Sequence, residues 1–266
     1  MKTRVITAVV ALAVFIPLLI IGHLPLQILV ALMAVVALDE ILIMRKKLLI
    51  SFETIISNIG VVVMVLPRSL WDNEHLPMFL HQSSLLYIFV LLMLFHTVLS
   101  RNHFTFDDAG VITLSMLYIG LGFQFFMAAR TMSLATLFFA LLIVWITDSG
   151  AYMIGRALGK HKLAPRISPN KTWEGSIGGT VVSVIVSAIY LLVFPAVQVY
   201  SFPVMLVIAL FASIAGQFGD LIESALKRYY NVKDSGKILP GHGGILDRFD
   251  SLLIVLPVLF LLGVIH

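Results

Sequence analysis

An all-α bundle of about nine membrane-spanning helices, with the N-terminus in the cytoplasm, is the fold the sequence predicts, on three observations. The chain is 60% hydrophobic and 12% charged, with a mean hydropathy of +1.04, whereas soluble domains carry about a quarter charged residues. Its apolar residues fall in successive blocks near the roughly 20 residues a helix needs to cross the hydrocarbon core. Lysine and arginine collect in alternate connections between those blocks.

The blocks run near 4–22, 25–44, 51–70, 84–100, 109–129, 132–154, 174–195, 202–226 and 248–265. The first follows Lys2 and Arg4 but lacks a small-residue cleavage site and runs on through Pro17–Ile21, so it reads as a helix and not a signal peptide. Gly22 to Pro25 thinly separates it from the second. The second ends in Asp39 and Glu40, either interfacial acids or part of a site, and then in Arg45, Lys46 and Lys47, bases suited to anionic headgroups. His96, lone in the fourth block, is expected to be hydrogen-bonded within the bundle. In the seventh block, Gly175 to Gly179 is a small-xxx-small step that marks close helix packing or a dimer contact. The eighth and ninth blocks carry charge at their inner ends.

With the N-terminus cytoplasmic, fifteen of the 18 lysines and arginines lie inside, Arg68 and Arg130 outside, and Arg248 at a helix start. The C-terminus then faces out. Residues 1–266 read as one membrane domain, with the less informative helices in 1–130 and the chemistry in 131–266, on cytoplasmic loops 155–173 and 227–247. The absence of cysteine excludes disulfides, thiolate zinc sites and thiol catalysis. Nucleic acid is not expected as a partner; membrane lipids are.

On the eighth block Asp220, Glu223, Ser224 and Lys227 share one helical face, and on the ninth Asp247, Asp250 and Ser251 do the same. Two such carboxylate stripes facing a wet cavity suit a hard cation such as magnesium; pairing with Lys227 and Arg248 is the structural alternative. Pro240-Gly241-His242-Gly243-Gly244 removes side chains where the chain re-enters the membrane, which would admit a phosphate to backbone N–H groups at a helix N-terminus. Lys227, Arg228, Lys233 and Lys237 add positive charge there. In the other loop, Ser168 or Thr172 can cap the following helix and Glu174 lies in its first turn, leaving Asp148 as a cation contact and Asn170-Lys171 as phosphate contacts. Gly155 to Lys160, one residue short and followed by His161, is not a P-loop.

Ser224-x-x-Lys227-Arg228, Lys233-Asp234-x-Gly236, Pro240-Gly241-His242-Gly243-Gly244 and Asp247-Arg248-x-Asp250 together resemble the signature of the phosphatidate cytidylyltransferases. Asp148-Ser-Gly-Ala-Tyr152, His161-Lys162-Leu-Ala-Pro165 and Ser168-Pro-x-Lys171-Thr172-x-Glu174-Gly175 resemble that family's upstream motif, so the likeness spans about residues 145–251. It implies the conversion of CTP and phosphatidate to CDP-diacylglycerol and pyrophosphate, with magnesium and a monovalent cation such as potassium beside it, and a homodimer. Asp220 and Asp247 are then the foremost metal ligands, with Asp148, Glu223 and Asp250 around them. Asp220, Asp247, Lys227 and Arg248 form the catalytic set. Ser168, Asn170, Lys171, Ser224, Arg228, Lys233, Asp234, His242, Gly243 and Gly244 bind substrate.

Two rivals stand beside this reading. A related transferase could use another membrane alcohol or lipid phosphate. A cation transporter could also use intramembrane carboxylates, although its acids should line a path across the bilayer and not gather on one side. The missing Asp-Gly-x-x-Ala-Arg element disfavours a CDP-alcohol phosphotransferase.

Overall fold

Hydrocarbon offers no partner to a backbone amide, so an apolar chain of this kind closes its hydrogen bonds within helices. The computed structural model describes residues 2–67, 70–71 and 76–266, with side chains at residue 7 and, within those ranges, from residue 9 onward. Arg68, expected on the outer side, lies outside the described residues, as do the side chains of Lys2 and Arg4. The helices are α1 Lys2–Ile21, α2 His23–Met44, α3 Phe52–Val65, α4 Gln82–Leu99, α5 Phe106–Met132, α6 Leu134–Leu158, α7 Trp173–Val193, α8 Phe202–Tyr229, α9 Leu246–Phe249 and α10 Leu252–Leu261. Two short strands, β1 Lys162–Ala164 and β2 Ser168–Thr172, lie between α6 and α7. Among the described residues, six helices are long and apolar enough to cross a membrane: α2, α4, α5, α6, α7 and α8. The chain is a multi-pass, helical membrane protein.

Two expected blocks and one loop take a different form. The third stops at Val65 instead of running on to residue 70. The ninth is broken: α9 has 4 residues and α10 has 10, separated by Asp250 and Ser251. Ten residues rise only about 15 Å, half a bilayer core. Loop 155–173 contains the antiparallel pair β1–β2, with Lys162 opposite Thr172 and Ala164 opposite Ser168 across an irregular register.

The chain divides into two compact units, Met1–Met127 with Ser235–Ile245, and Ala128–Asp234 with Leu246–His266. In the first, α2 buries Leu26, Val30, Ala34, Ala37, Leu38 and Ile41, a stripe at helical spacing. Its C-terminus closes in a Schellman turn: Lys46 takes a φ of 59° and the Lys47 N–H donates to the Leu42 carbonyl at 2.9 Å. Arg45 and Lys47 are therefore held at a helix end, where both contact Asp108, Lys47 at 3.1 Å. Lys47 also lies 4.0 Å from Glu53, and Glu53 lies 3.5 Å from His96. Asp108 and Thr105 form a capping box at the start of α5, each side chain accepting the other's backbone N–H. His96, expected to be hydrogen-bonded within the bundle, lies at ion-pair distance from Glu53 and packs against the Phe52 and Phe104 rings, and the bases of the 45–47 run are divided: Arg45 and Lys47 are paired, whereas Lys46 is exposed.

In the second unit, α6 and α7 approach as closely as glycine permits. A Cβ at Gly150 would sit 3.0 Å from the Gly179 Cα, and one at Gly175 would sit 2.6 Å from the Ala151 carbonyl. The small-xxx-small step thus packs α7 on α6 of the same chain. Beneath this contact a buried polar chain joins three helices: Thr147 to Ser213 at 2.7 Å, Ser213 to Thr180 at 3.2 Å, Gln217 to Thr180 at 2.8 Å and Ser176 to Gln217 at 2.5 Å. Thr147 precedes Asp148 and Gln217 lies one turn before Asp220, so the network sets the register of the helices that carry the acids.

Candidate active site

The acids and bases of the second unit fall into two groups on α8. Helical spacing puts Asp220, Glu223, Ser224 and Lys227 on one side, but bonding sorts them by i, i+4 rows. Ser224 Oγ donates to Asp220 at 3.2 Å, and Lys227 Nζ lies 2.5 Å from Glu223. The helix ends in a Schellman turn, with Asn231 at a φ of 54° and the Val232 N–H on the Lys227 carbonyl at 2.9 Å.

The first group centres on Asp220. Lys171 Nζ, delivered by β2, lies 2.6 Å from Asp220 Oδ2. Asp148 on α6 and Asp250 at the α9–α10 break are near enough for each to feel the Asp220 charge, and Asp250 also feels Asp148. A local cause is visible at Gly219, where a Cβ would sit 2.7 Å from the Asp250 carbonyl oxygen and 2.8 Å from the Ser251 Cα. The missing side chain lets the break press against α8 beside Asp220. At that break the Asp250 carboxylate accepts the Ser251 N–H at 2.7 Å, satisfying a backbone donor that the interrupted helix leaves open.

The second group centres on Lys227, which joins Glu223 to Asp247 Oδ1 at 2.7 Å. Glu223 is only 2% exposed and Asp247 9%. Asp220 and Asp247, expected as a metal pair, thus have different immediate partners: Asp220 meets Lys171 and Ser224, Asp247 meets Lys227. Glu223, expected among the ion's ligands, is engaged by the same lysine. The pairing alternative describes Glu223 and Asp247.

Three carboxylates on three elements make an all-oxygen donor set of the kind magnesium takes, and their mutual repulsion is what a divalent cation would relieve. The chemistry of the donors fits such an ion. In the present arrangement they stand apart, and among the described residues no three His, Asp or Glu side chains are gathered into a ready-made site.

The remaining predicted residues are spread around these groups. Arg228 Nε donates to the Ile167 carbonyl at 3.3 Å and, with Asn231, Val232 and Lys233, lines an open cleft of about 280 Å³. Asn170, Asp234 and Arg248 are exposed and Ser168 is half-buried in β2. Thr172 caps α7, accepting the Gly175 N–H at 3.2 Å, while Glu174 takes His161 Nδ1 at 2.6 Å and the Lys160 N–H at 3.1 Å. The capping reading of Thr172 is therefore the observed one.

His242, Gly243 and Gly244 belong to the first unit. Leu239 to His242 is a type II turn, with Pro240 leading, Gly241 at a φ of 80° and the His242 N–H on the Leu239 carbonyl at 2.8 Å. Gly243 also has a positive φ, 84°. Gly244 is different: a Cβ there would run into both carboxylate oxygens of Glu40 and into Ser235 Oγ. The glycines therefore have structural causes of their own, and the α9 that follows is too short to bring a long helix dipole to the loop. The loop role of Glu40 escaped the sequence reading, and 195 residues separate it from its partner Ser235.

Lysines and carboxylates interleave at the ends of membrane-length helices, and in sequence a glycine-rich loop lies between them. The chain belongs to the cytidylyltransferase family, whose pattern it matches over residues 2–266. It is 46% identical to the phosphatidate cytidylyltransferase of Bacillus subtilis, across 98% of this chain and 97% of that one. It is 46% identical to the Staphylococcus haemolyticus protein of the same name and 45% to that of Staphylococcus aureus, each over 98% of both chains. The likeness read from the motifs covered only residues 145–251; the family match takes in the first five helices as well.

Proposed function

We infer that the protein transfers the cytidylyl group of CTP to phosphatidate, forming CDP-diacylglycerol and pyrophosphate. The observation that carries this is the near-complete alignment with proteins of that name, at 46% identity, in a chain whose acids and lysines meet at helix ends. A phosphate oxygen of phosphatidate attacks the α-phosphorus of CTP. The new P–O bond forms as the bond from the α-phosphorus to the bridging oxygen breaks, and pyrophosphate leaves with the electron pair. Phosphomonoesters have a second pKa near 6, so the attacking oxygen is already largely ionised at neutral pH and needs no strong base. Positioning and charge neutralisation do most of the catalysis in such reactions.

Asp220, with Asp148 and Asp250, would hold magnesium, which supplies neutralising charge for the nucleotide phosphates when bound; a monovalent cation beside it is part of the proposal. Asp247, which the family resemblance also assigns to the ion, is anchored by Lys227. Lys171 lies at Asp220, where it would meet a phosphate that approaches those acids. Arg228 and Lys233 line the cleft, and Arg248 adds exposed positive charge. The reading of about nine membrane helices, the shorter ones entering without spanning the full core, puts the N-terminus and site in the cytoplasm and is supported by the one-sided distribution of lysine and arginine. It places CTP on the aqueous side and phosphatidate in the inner leaflet. A homodimer completes the proposal.

The deciding experiment incubates the purified chain with labelled CTP, phosphatidate and magnesium. Labelled CDP-diacylglycerol that disappears with EDTA is the expected result. Cation flux in liposomes without that product would favour the transporter reading.

A further inference from the structure

Glu40 lies near the C-terminal end of α2 in the first unit and is only 4% exposed. A carboxylate at such a place in an apolar helix is costly unless its oxygens are satisfied. Oε2 accepts the Ser235 hydroxyl at 2.9 Å, and Oε1 accepts the Ile245 backbone N–H at 2.8 Å. These partners are the first and last residues of the segment Ser235–Ile245 that packs with α1–α5. One side chain therefore clasps both ends of the glycine-rich loop.

The glycines beside it are shaped to this carboxylate. A Cβ at Gly236 would lie 2.5 Å from Glu40 Oε1, and one at Gly244 would overlap both oxygens. Within the clasp, the Pro240-Gly241 turn and the Leu239–Gly243 bridge fold the segment back on itself. Outside it, Ser235 follows Lys233-Asp234 directly, and Ile245 precedes Asp247 by two residues. Whatever fixes Ser235 and Ile245 fixes the points at which the loop leaves and rejoins those substrate-facing segments.

We propose that Glu40 is a positioning residue for cytidylyl transfer: its buried carboxylate holds the loop 235–245 closed at both ends, and Gly236 and Gly244 lack side chains to make room for it. The proposal rests on the transferase reading, and the two can fail separately. Product formation by the unaltered chain tests the activity; hydrogen exchange of residues 235–245 tests the clasp without reference to it.

The test uses the full chain in detergent with CTP, phosphatidate and magnesium, comparing Glu40→Gln, Glu40→Ala, Gly244→Ala and the double variant Glu40→Ala/Gly244→Ala. Glutamine keeps the volume and can meet both partners, accepting from the Ile245 N–H and donating to Ser235 Oγ. The expected result is a fall of about 100-fold in kcat/KM for Glu40→Ala, with faster exchange confined to 235–245, and retention within about tenfold for Glu40→Gln. Gly244→Ala should lose comparably, and the double variant should lose no more than Gly244→Ala alone, because removing the carboxylate clears two of the three atoms its Cβ would meet and releases the third, Ser235 Oγ, to rotate away. Wild-type kcat/KM for Glu40→Ala, or losses that multiply in the double variant, would overturn the proposal. If Glu40→Ala does not fold, Glu40→Gln decides alone: faster exchange in 235–245 at unchanged activity sinks the idea, and unchanged exchange with retained activity supports it.

Discussion

The two units each gather charge at helix ends, and they do it in opposite ways. In the first, the contacts of Glu53 and Asp108 are with bases: Arg45 and Lys47 on Asp108, Lys47 and His96 near Glu53. In the second, acids face acids as well. Asp148, Asp220 and Asp250 come from three elements of this unit, and Lys171 meets Asp220 at 2.6 Å. A balanced cluster needs nothing further and works as a staple between helices. A set of carboxylates that a single base does not balance is where a cation would add most, and that contrast separates scaffold from site better than a count of charges does.

The largest expected effect breaks the comparison at its centre. Asp220→Ala removes the acid that both other carboxylates feel and that Lys171 touches. Formation of CDP-diacylglycerol from CTP in membranes should fall by about a thousandfold, a loss typical of deleting a group that stabilises transferred charge. Near wild-type turnover would show that the repelling acids are not the site.

The next test sharpens the division inside the second unit. Lys227→Met leaves Glu223 and Asp247, both nearly buried, without the ammonium that joins them. Stranding one partner of a buried pair costs about 3–5 kcal/mol, read as a lowered thermal midpoint in detergent. Adding Glu223→Gln should restore part of it. No recovery would mean that Lys227 serves Asp247 alone.

These groupings were only partly legible in the sequence. The long spans were, because hydropathy over about 20 residues is set by the bilayer itself. Spacing on α8 identified the right residues, yet it could not tell that Asp220 turns to Lys171 while Glu223 and Lys227 turn to Asp247, since that choice is made by the neighbouring elements. The β1–β2 pair was hidden because Pro165 and Pro169 and an irregular register erase the alternation that marks a strand. The break at Asp250 and Ser251 was hidden because apolar residues continue on its far side. Glu40 was noticed as an acid near a helix end, but nothing local connects it to Ser235 and Ile245. Its partners lie in a loop that the chain reaches only after five further membrane-length helices.

The smallest predicted effects belong to the Asp108 and Glu53 ion pairs of the first unit and decide whether those pairs are scaffold. Asp108→Ala unpairs Arg45 and Lys47 and removes half of a capping box; losses of about 1–2 kcal/mol follow from the cap and from partly buried ion pairs. Turnover at saturating substrate should stay close to wild type, because Asp108 is held by bases that already satisfy it and lies outside the carboxylate set of the second unit. His96→Gln should do still less. The His96–Glu53 contact is a long 3.5 Å, and Glu53 also has Lys47 nearby. A shift within about 0.5 kcal/mol is expected. If either variant cut turnover as deeply as Asp220→Ala while leaving the thermal midpoint unmoved, charge balance would no longer distinguish a staple from a site, and Arg45, Lys47 and Glu53 would have to be counted among the groups that act on substrate.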